Sequence, residues 1–229
     1  MKKEKKLIAP LQPFRHAIVA VDLVIFGLND KGLVTLLLKA ARPPFAGKWV
    51  LPGGLVGPME NLEEAVERHI QEKTGLKKVY VEQLATYGET KRDPRGRVVS
   101  VAHLALVVDT SAPIAKNDDY EAIAWHDVKK LPPLGYDHAE MIALARRRLQ
   151  AKLGYMNIAQ FLLPPSFTLS DLQHVYETVL GQTLDKRNFR KKILSLDIVE
   201  KLDKKVSGAF RPAELYSFTH KKPRIVEIL

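Results

Sequence analysis

The sequence predicts an α+β protein in two parts, a mixed strand-and-helix unit over residues 1–154 and a smaller, mainly helical unit over residues 155–229. Three observations carry this. Short apolar runs rich in valine and isoleucine surround one early amphipathic helix, the pattern of a sheet covered by helices. A long helical segment over 138–153 is followed by Gly154, a natural stop. Beyond it come three helical segments and then a basic hairpin, a clear change of character.

In chain order, residues 17–28 (AIVAVDLVIFGL) read as a buried strand, because β-branched residues dominate an unbroken apolar run. The run is too short to cross a bilayer and it carries Asp22. Asn29-Asp30-Lys31-Gly32 is a turn signal, and residues 33–39 form the returning strand. Residues 42–48 (RPPFAGK) are a loop, since prolines and glycine break both regular elements. Residues 49–52 are a short strand, and a helix follows over about 61–73, with Asn61 as N-cap and Gly75 as its stop. On that helix Leu62, Val66, His69 and Lys73 share one stripe, with Glu72 on its border. Residues 79–87, 97–108 and 122–126 are further strands, and a polar loop, KRDPRGR, separates the first two. Asp137 precedes the helix over 138–153 as its cap.

In the second part, residues 157–163 form a short helix stopped by Pro164-Pro165. Thr168 caps residues 169–180, with Asp171 completing a capping box. Asp185 caps a third helix ending near Leu196, and residues 198–206 and 215–218 form a hairpin around Ser207-Gly208. Three helices followed by a basic hairpin describe a winged helix-turn-helix. Phe189, Ile193 and Leu196 anchor the third helix, while its charges lie on other faces. Arg187, Asn188 and Arg190 are the base-edge candidates, because arginine suits guanine and asparagine suits adenine. Lys186, Lys191 and Lys192, with Lys201, Lys204 and Lys205 in the wing, are phosphate candidates. The competing reading is a solvated basic helix that touches only protein.

Composition sets bounds. A formal net charge of +10 favours a polyanionic partner such as nucleic acid, a nucleotide or a membrane surface, and is silent on fold. The absence of cysteine excludes disulfides, thiolate metal sites and cysteine catalysis. The N-terminal MKKEKKLIAPLQPF lacks the long apolar core of a signal peptide, so a cytoplasmic protein is expected.

The most informative stretch is residues 53–76, GGLVGPMENLEEAVERHIQEKTGL. Five residues separate Gly54 from Glu60, and seven separate Glu60 from Arg68. With Ile70, Glu72, Gly75 and Leu76, this spacing resembles the Nudix box, G-x5-E-x7-R-E-U-x-E-E-x-G-U, where U is aliphatic. His69 and Lys73 depart from it, since the box has glutamate at both. In the family that the stretch resembles, three helical glutamates hold the divalent metal that activates water against a pyrophosphate. Here the three positions are His69, Glu72 and Lys73, and their formal charge falls from −3 to 0 with histidine neutral. An ammonium at a metal site repels the cation. The expectation is a Nudix-type α/β/α sandwich whose pocket binds a nucleotide, with no metal and no ordinary hydrolysis, Lys73 meeting a ligand phosphate in place of the metal.

Around that pocket, Gly54, Glu60, Arg68, Glu72 and Lys73 are ligand-site candidates with Arg42, Phe45 and Trp49, which either frame a base-stacking pocket or pack the core. Lys91, Arg92 and Arg95 in KRDPRGR are either a solvated loop tip or a phosphate or ribose clamp. His103 and His126 read as packed strand residues.

Taken whole, the chain resembles the Nudix-related transcriptional regulators of the NrtR family. Besides the box, the segments RPPFAGKWVLPGG, KRDPRGRVVSVAHLALV, LPPLGYDHAEMI, LLPPSFTLSDLQHVYETVLG and LDKRNFRKKIL carry the resemblance. It implies a homodimeric repressor of NAD-biosynthesis genes that binds double-stranded operator DNA and is released by ADP-ribose. Two other readings stay open. One is an active ADP-ribose pyrophosphohydrolase with an appended nucleic-acid module, and the other is a sugar-responsive regulator of the same architecture.

Overall fold

The computed structural model describes residues 16–77, 79–112, 114, 120–206 and 213–228. The N-terminal basic stretch, the turn at Ser207-Gly208 and the side chains of Lys204 and Lys205 lie outside the described residues.

A mixed seven-stranded sheet forms the first part. β1 (Ile18–Asn29) lies parallel to β6 (Val98–Leu106), and β5 (Tyr80–Tyr87) pairs outside β6. β2 (Gly32–Ala40) returns antiparallel to β1, but the two pair only from Phe26–Thr35 to Asn29–Gly32 before they diverge. Two short strands fill the split. β3 (Trp49–Val50) pairs with Leu38 and Lys39 of β2, and β4 (Gly53–Leu55) pairs with Ala20, Val21 and Asp22 of β1. β7 (Tyr120–Asp127) covers the other edge of β2. The sequence reading had no β4, because three residues beginning Gly-Gly carry no strand pattern.

Alternation along β1 builds two apolar layers. Val21, Leu23 and Ile25 face α1 (Leu62–Thr74), meeting Ala65, Val66 and Ile70. Val24 and Phe26 face α2 (His138–Tyr155), meeting Met141, Ile142 and Ala145. This is the expected α/β/α sandwich, and burial of β1 on both faces explains its continuous apolar run. α1 carries a complete capping box, with Asn61 Oδ1 accepting from Glu64 N–H at 2.9 Å and Glu64 answering at the Asn61 N–H at 2.8 Å. It ends at Gly75, whose φ of 67° only glycine adopts without strain. Its buried stripe is Ala65, Val66, His69, Ile70 and Thr74, so Val66 and His69 face inward as expected while Leu62 and Lys73 are only half-buried.

α2 departs from expectation at both ends. Asp137 makes no side-chain cap, because its carboxylate is held elsewhere. The helix runs through Gly154 to Tyr155, where the C-terminal tail takes over the last carbonyls, Ile228 N–H donating to Gly154 O and Val226 N–H to Tyr155 O, both at 2.8 Å. Residues 157–163 contain a 3-10 turn, Ile158–Phe161, rather than an α-helix. α3 (Leu169–Leu180) has the expected capping box, and Asp185 caps α4 (Lys186–Ser195) by accepting from Asn188 N–H at 2.7 Å. β8 (Val199–Val206) and β9 (Ala213–Phe218) complete the winged helix-turn-helix. The two parts share one core. Leu149 and Leu153 of α2 continue into Leu172, Val175, Tyr176, Phe189 and Ile193, and Gln150 Nε2 donates to Val179 O at 2.9 Å.

Candidate ligand pocket and nucleic-acid interface

The split between β1 and β2 opens into a cavity of about 300 Å³. Ala20, Asp22, Gly53, Gly54 and Leu55 floor it, while Arg42 to Phe45, Lys73, Tyr120, Arg95 and Tyr136 wall it. Gly53 has φ of 155°, and a Cβ there would lie 2.2 Å from Val21 O, so β4 approaches β1 this closely only as glycine.

Asp22 is the buried centre of the floor. It accepts from Ser100 Oγ at 2.6 Å and from an Arg92 guanidinium nitrogen at 3.1 Å, and His138 Nε2 lies 3.4 Å from its other oxygen. Burial alone would raise its pKa, but His138, Ser100 and Arg92 together bring it down to about 2. His138 Nδ1 accepts the Leu51 N–H at 2.8 Å, so the hydrogen-bond pattern places the ring proton on Nε2, facing Asp22.

Arg92 is corrected from a free clamp to a buried tie. It forks onto Asp137, Nε to Oδ2 at 2.8 Å and a terminal nitrogen to Oδ1 at 2.7 Å, while also reaching Asp22. Arg95 remains exposed at the mouth, paired with buried Asp93 at 2.7 Å. Lys91 is exposed on the same loop and does not line the cavity. Phe45 lines the cavity, its ring 4.3 Å from that of Tyr136. Trp49 does not, since it packs edge-on against His126 at 4.3 Å.

The box positions split between different tasks. Glu60 and Arg68 pair with each other, Arg68 Nε lying 2.9 Å from Glu60 Oε2, and Arg68 also reaches Leu55 O at 3.1 Å and Glu72 at 3.3 Å. Arg68 and the Gly57 N–H hold the Glu60 carboxyl well below its usual range. None of Glu60, Arg68 or Glu72 lines the cavity, so these three ligand candidates fasten the loop to α1. His69 turns its ring under Gly54, where a Cβ would meet it at 2.5 Å, and Nε2 lies 3.1 Å from Leu55 O. Burial lowers the pKa of His69 and keeps it neutral. Lys73 reaches the cavity, with its ammonium 5.0 Å from the Tyr120 ring centroid. Among the described residues no three histidine, aspartate or glutamate side chains gather as a metal site. Asp22, Asp93, Tyr120, Tyr136 and His138 were missed as pocket residues by sequence reasoning.

At the other end, α4 buries Phe189 and Ile193 and exposes Lys186, Arg187, Asn188, Lys191 and Lys192. Arg190 differs from expectation. It is half-buried and donates to Ser170 Oγ of α3 at 3.0 Å, so it ties the two helices together instead of projecting freely. Lys201 pairs with Glu214 across the hairpin. Among the described residues no helix is long and apolar enough to cross a membrane.

Comparison with known proteins matches both parts. Residues 16–155 match the NUDIX domain, and residues 159–218 match the NrtR DNA-binding winged helix domain. The ADPR responsive transcriptional repressor NtrR of Acinetobacter baylyi is 36% identical over 205 residues, covering 88% of this chain and 82% of that protein. An ADP-ribose pyrophosphatase of Methanocaldococcus jannaschii is 35% identical over 139 residues, 61% of this chain and 79% of that one. Shewanella oneidensis NrtR complexed with a 27mer DNA superposes with a TM-score of 0.77 at 36% identity, over 88% of this chain and 93% of that one. Its NUDIX domain complexed with ADP ribose gives a TM-score of 0.54 at 35% identity, over 61% and 93%. The chain belongs to the NrtR family, in which a Nudix domain is joined to a DNA-binding winged helix.

Proposed function

We propose that this protein is a homodimeric repressor of NAD-biosynthesis genes, acting in the cytoplasm, and that ADP-ribose in the Nudix-type pocket releases it from operator DNA. The observation that carries the reading is α2. Its first residue, His138, lines the cavity, and its C-terminal half packs into the core of the winged helix, so one element joins the pocket to the DNA-binding unit. A ligand that favours the arrangement unable to bind DNA weakens DNA binding, and DNA weakens ligand binding by the same factor. In the pocket, Lys73 and Arg42 supply positive charge for a pyrophosphate, Arg95 adds to it at the mouth, and Phe45, Tyr136 and Tyr120 offer ring faces. His69 and Lys73 do not fit a divalent cation, and no hydrolytic step is assigned.

The deciding experiment is gel retardation of a genomic fragment library with and without ADP-ribose. Selective retardation that ADP-ribose reverses is expected. Retardation indifferent to ADP-ribose removes the sensing role, and its replacement by sugar-dependent release identifies a sugar-responsive regulator.

A hydrolase reading is favoured by the pyrophosphatase relative and by retention of Glu60, Arg68 and Glu72. Magnesium-dependent turnover of ADP-ribose that Glu72→Gln abolishes would establish it and displace the non-catalytic one.

A further inference from the structure

The chain continues past the matched winged-helix segment, which ends at residue 218. Residues 219–224, THKKPR, hold four basic side chains in six positions. This segment is fixed in place. Thr219 N–H donates to Ile198 O at 3.0 Å, and its hydroxyl to Asp197 O at 3.1 Å, which sets the segment against the exit of α4. The buried Asn157 side chain then accepts from Arg224 N–H at 2.6 Å, and its own backbone N–H donates to Arg224 O at 3.2 Å. Val226 and Ile228 pair with the end of α2. The result is a strap whose backbone is ordered before any partner arrives.

Its side chains face solvent. His220, Lys221, Lys222 and Arg224 are all exposed, and among the described residues none of the three permanent cations is in an ion pair. Arg224 donates to His220 Nε2, so basic groups cluster on one another instead of on a carboxylate. Glu227, further along, is the one acidic side chain of residues 219–228. Lys191 and Lys192, at the end of α4, extend the same sign of charge.

We infer that this strap is a second phosphate-binding surface for duplex DNA, flanking the recognition helix at its C-terminal end. α4 has ten residues, so it is about 15 Å long, and a helix lying in a major groove about 12 Å wide brings its ends close to the phosphate backbones on either side. A fixed row of cations beside one end is placed to meet one of them. Such contacts set register and affinity and carry no base information.

The inference rests on the DNA-binding reading, and the experiment separates the two. The full-length protein, the triple variant K221Q/K222Q/R224Q and R187A are titrated with a random-sequence linear duplex over a range of salt concentrations. If three phosphate contacts are lost, the triple variant binds at least about tenfold more weakly at low salt, and its plot of log K against log salt is shallower by about 2.7. Its thermal midpoint and its ADP-ribose affinity stay at the wild-type values. N157A, which removes no charge but unpins the strap, weakens duplex binding with little change in salt slope. A triple variant with wild-type slope and affinity, beside a weakened R187A, overturns the strap and leaves the DNA-binding reading intact. A wild-type protein that fails to bind duplex at all overturns both.

Discussion

Arg92 and Asp137 form a two-pronged ion pair, 2.8 and 2.7 Å, between the KRDPRGR loop and the residue that enters α2. The Arg92 side chain is 3% exposed and that of Asp137 15%. The pair explains why Asp137 gives no side-chain cap to α2. It also fastens the wall of the pocket to the helix that reaches the winged domain, so Asp22 and Arg92 are joined by direct contacts to the start of α2. Removing one partner of a buried pair leaves an uncompensated charge, which costs about 3–5 kcal/mol. R92A is expected to lose stability of that order in urea denaturation, and R92K to recover only part, because an ammonium cannot make the fork. A loss below about 1 kcal/mol, the range of exposed pairs, would show that the tie is dispensable.

One part of the pH dependence of stability follows from Asp22. Its folded pKa is lowered from 3.8 to about 2. The unfolded chain therefore binds a proton first as pH falls, so the contribution is present above pH 4 and disappears between about pH 4 and pH 2. Its size is about 2 kcal/mol. Urea midpoints measured across that window should fall for the wild type, and D22N should show a flatter profile and lower stability at neutral pH. Parallel profiles would assign the acid sensitivity to other carboxylates.

What the sequence disclosed and what it hid divide along the range of the interactions. α1, α3 and α4 were readable because Asn61, Thr168 and Asp185 cap their helices within three residues. The ties of Arg92 were not, because Asp22 and Asp137 lie 70 and 45 positions away. A charge in a loop looks solvated until its partners are known. A signal was present all the same: Asp22 is a carboxylate inside an otherwise apolar strand, and buried carboxylates need partners. Tyr136 left no such signal, since its place in the pocket depends on a backbone φ of 53°, unusual for a tyrosine. Trp49 follows the second of its two readings and packs, a choice that two-residue β3 gives too little alternation to fix, whereas Arg190 was placed in the right helix but on the wrong side, because it borders the buried stripe of α4.

Lys73 is the test of the pocket's altered chemistry. If its ammonium meets a ligand phosphate, K73A should weaken ADP-ribose binding by about tenfold or more in calorimetry, the worth of a charge-assisted hydrogen bond. Unchanged affinity would remove Lys73 from the site. The complementary variant, H69E/K73E, returns carboxylates to the two divergent positions and should gain magnesium affinity. Because the His69 ring fills the space under Gly54, H69E also vacates a packed position, and a lower thermal midpoint is expected with the gain. No gain in magnesium affinity would locate the difference from hydrolases elsewhere in the pocket.

Arg187 and Arg190 should separate in their effects although both lie on α4. Arg187 is exposed on the face away from Phe189 and Ile193, free to reach a base edge or phosphate. Loss of such a contact costs about 1–3 kcal/mol of operator affinity, roughly five- to 150-fold, with folding stability unchanged. Arg190 bonds Ser170 of α3, and its Nε is buried with no hydrogen-bond partner among the described residues. R190A should therefore lower the thermal midpoint as well as DNA affinity, because it loosens the α3–α4 packing that presents the recognition face. Thermal unfolding and retardation of an operator fragment, run on both variants, read the two effects independently. Equal loss of affinity with no loss of stability in either would place Arg190 beside Arg187 on the DNA face and undo the distinction drawn from its contact with Ser170.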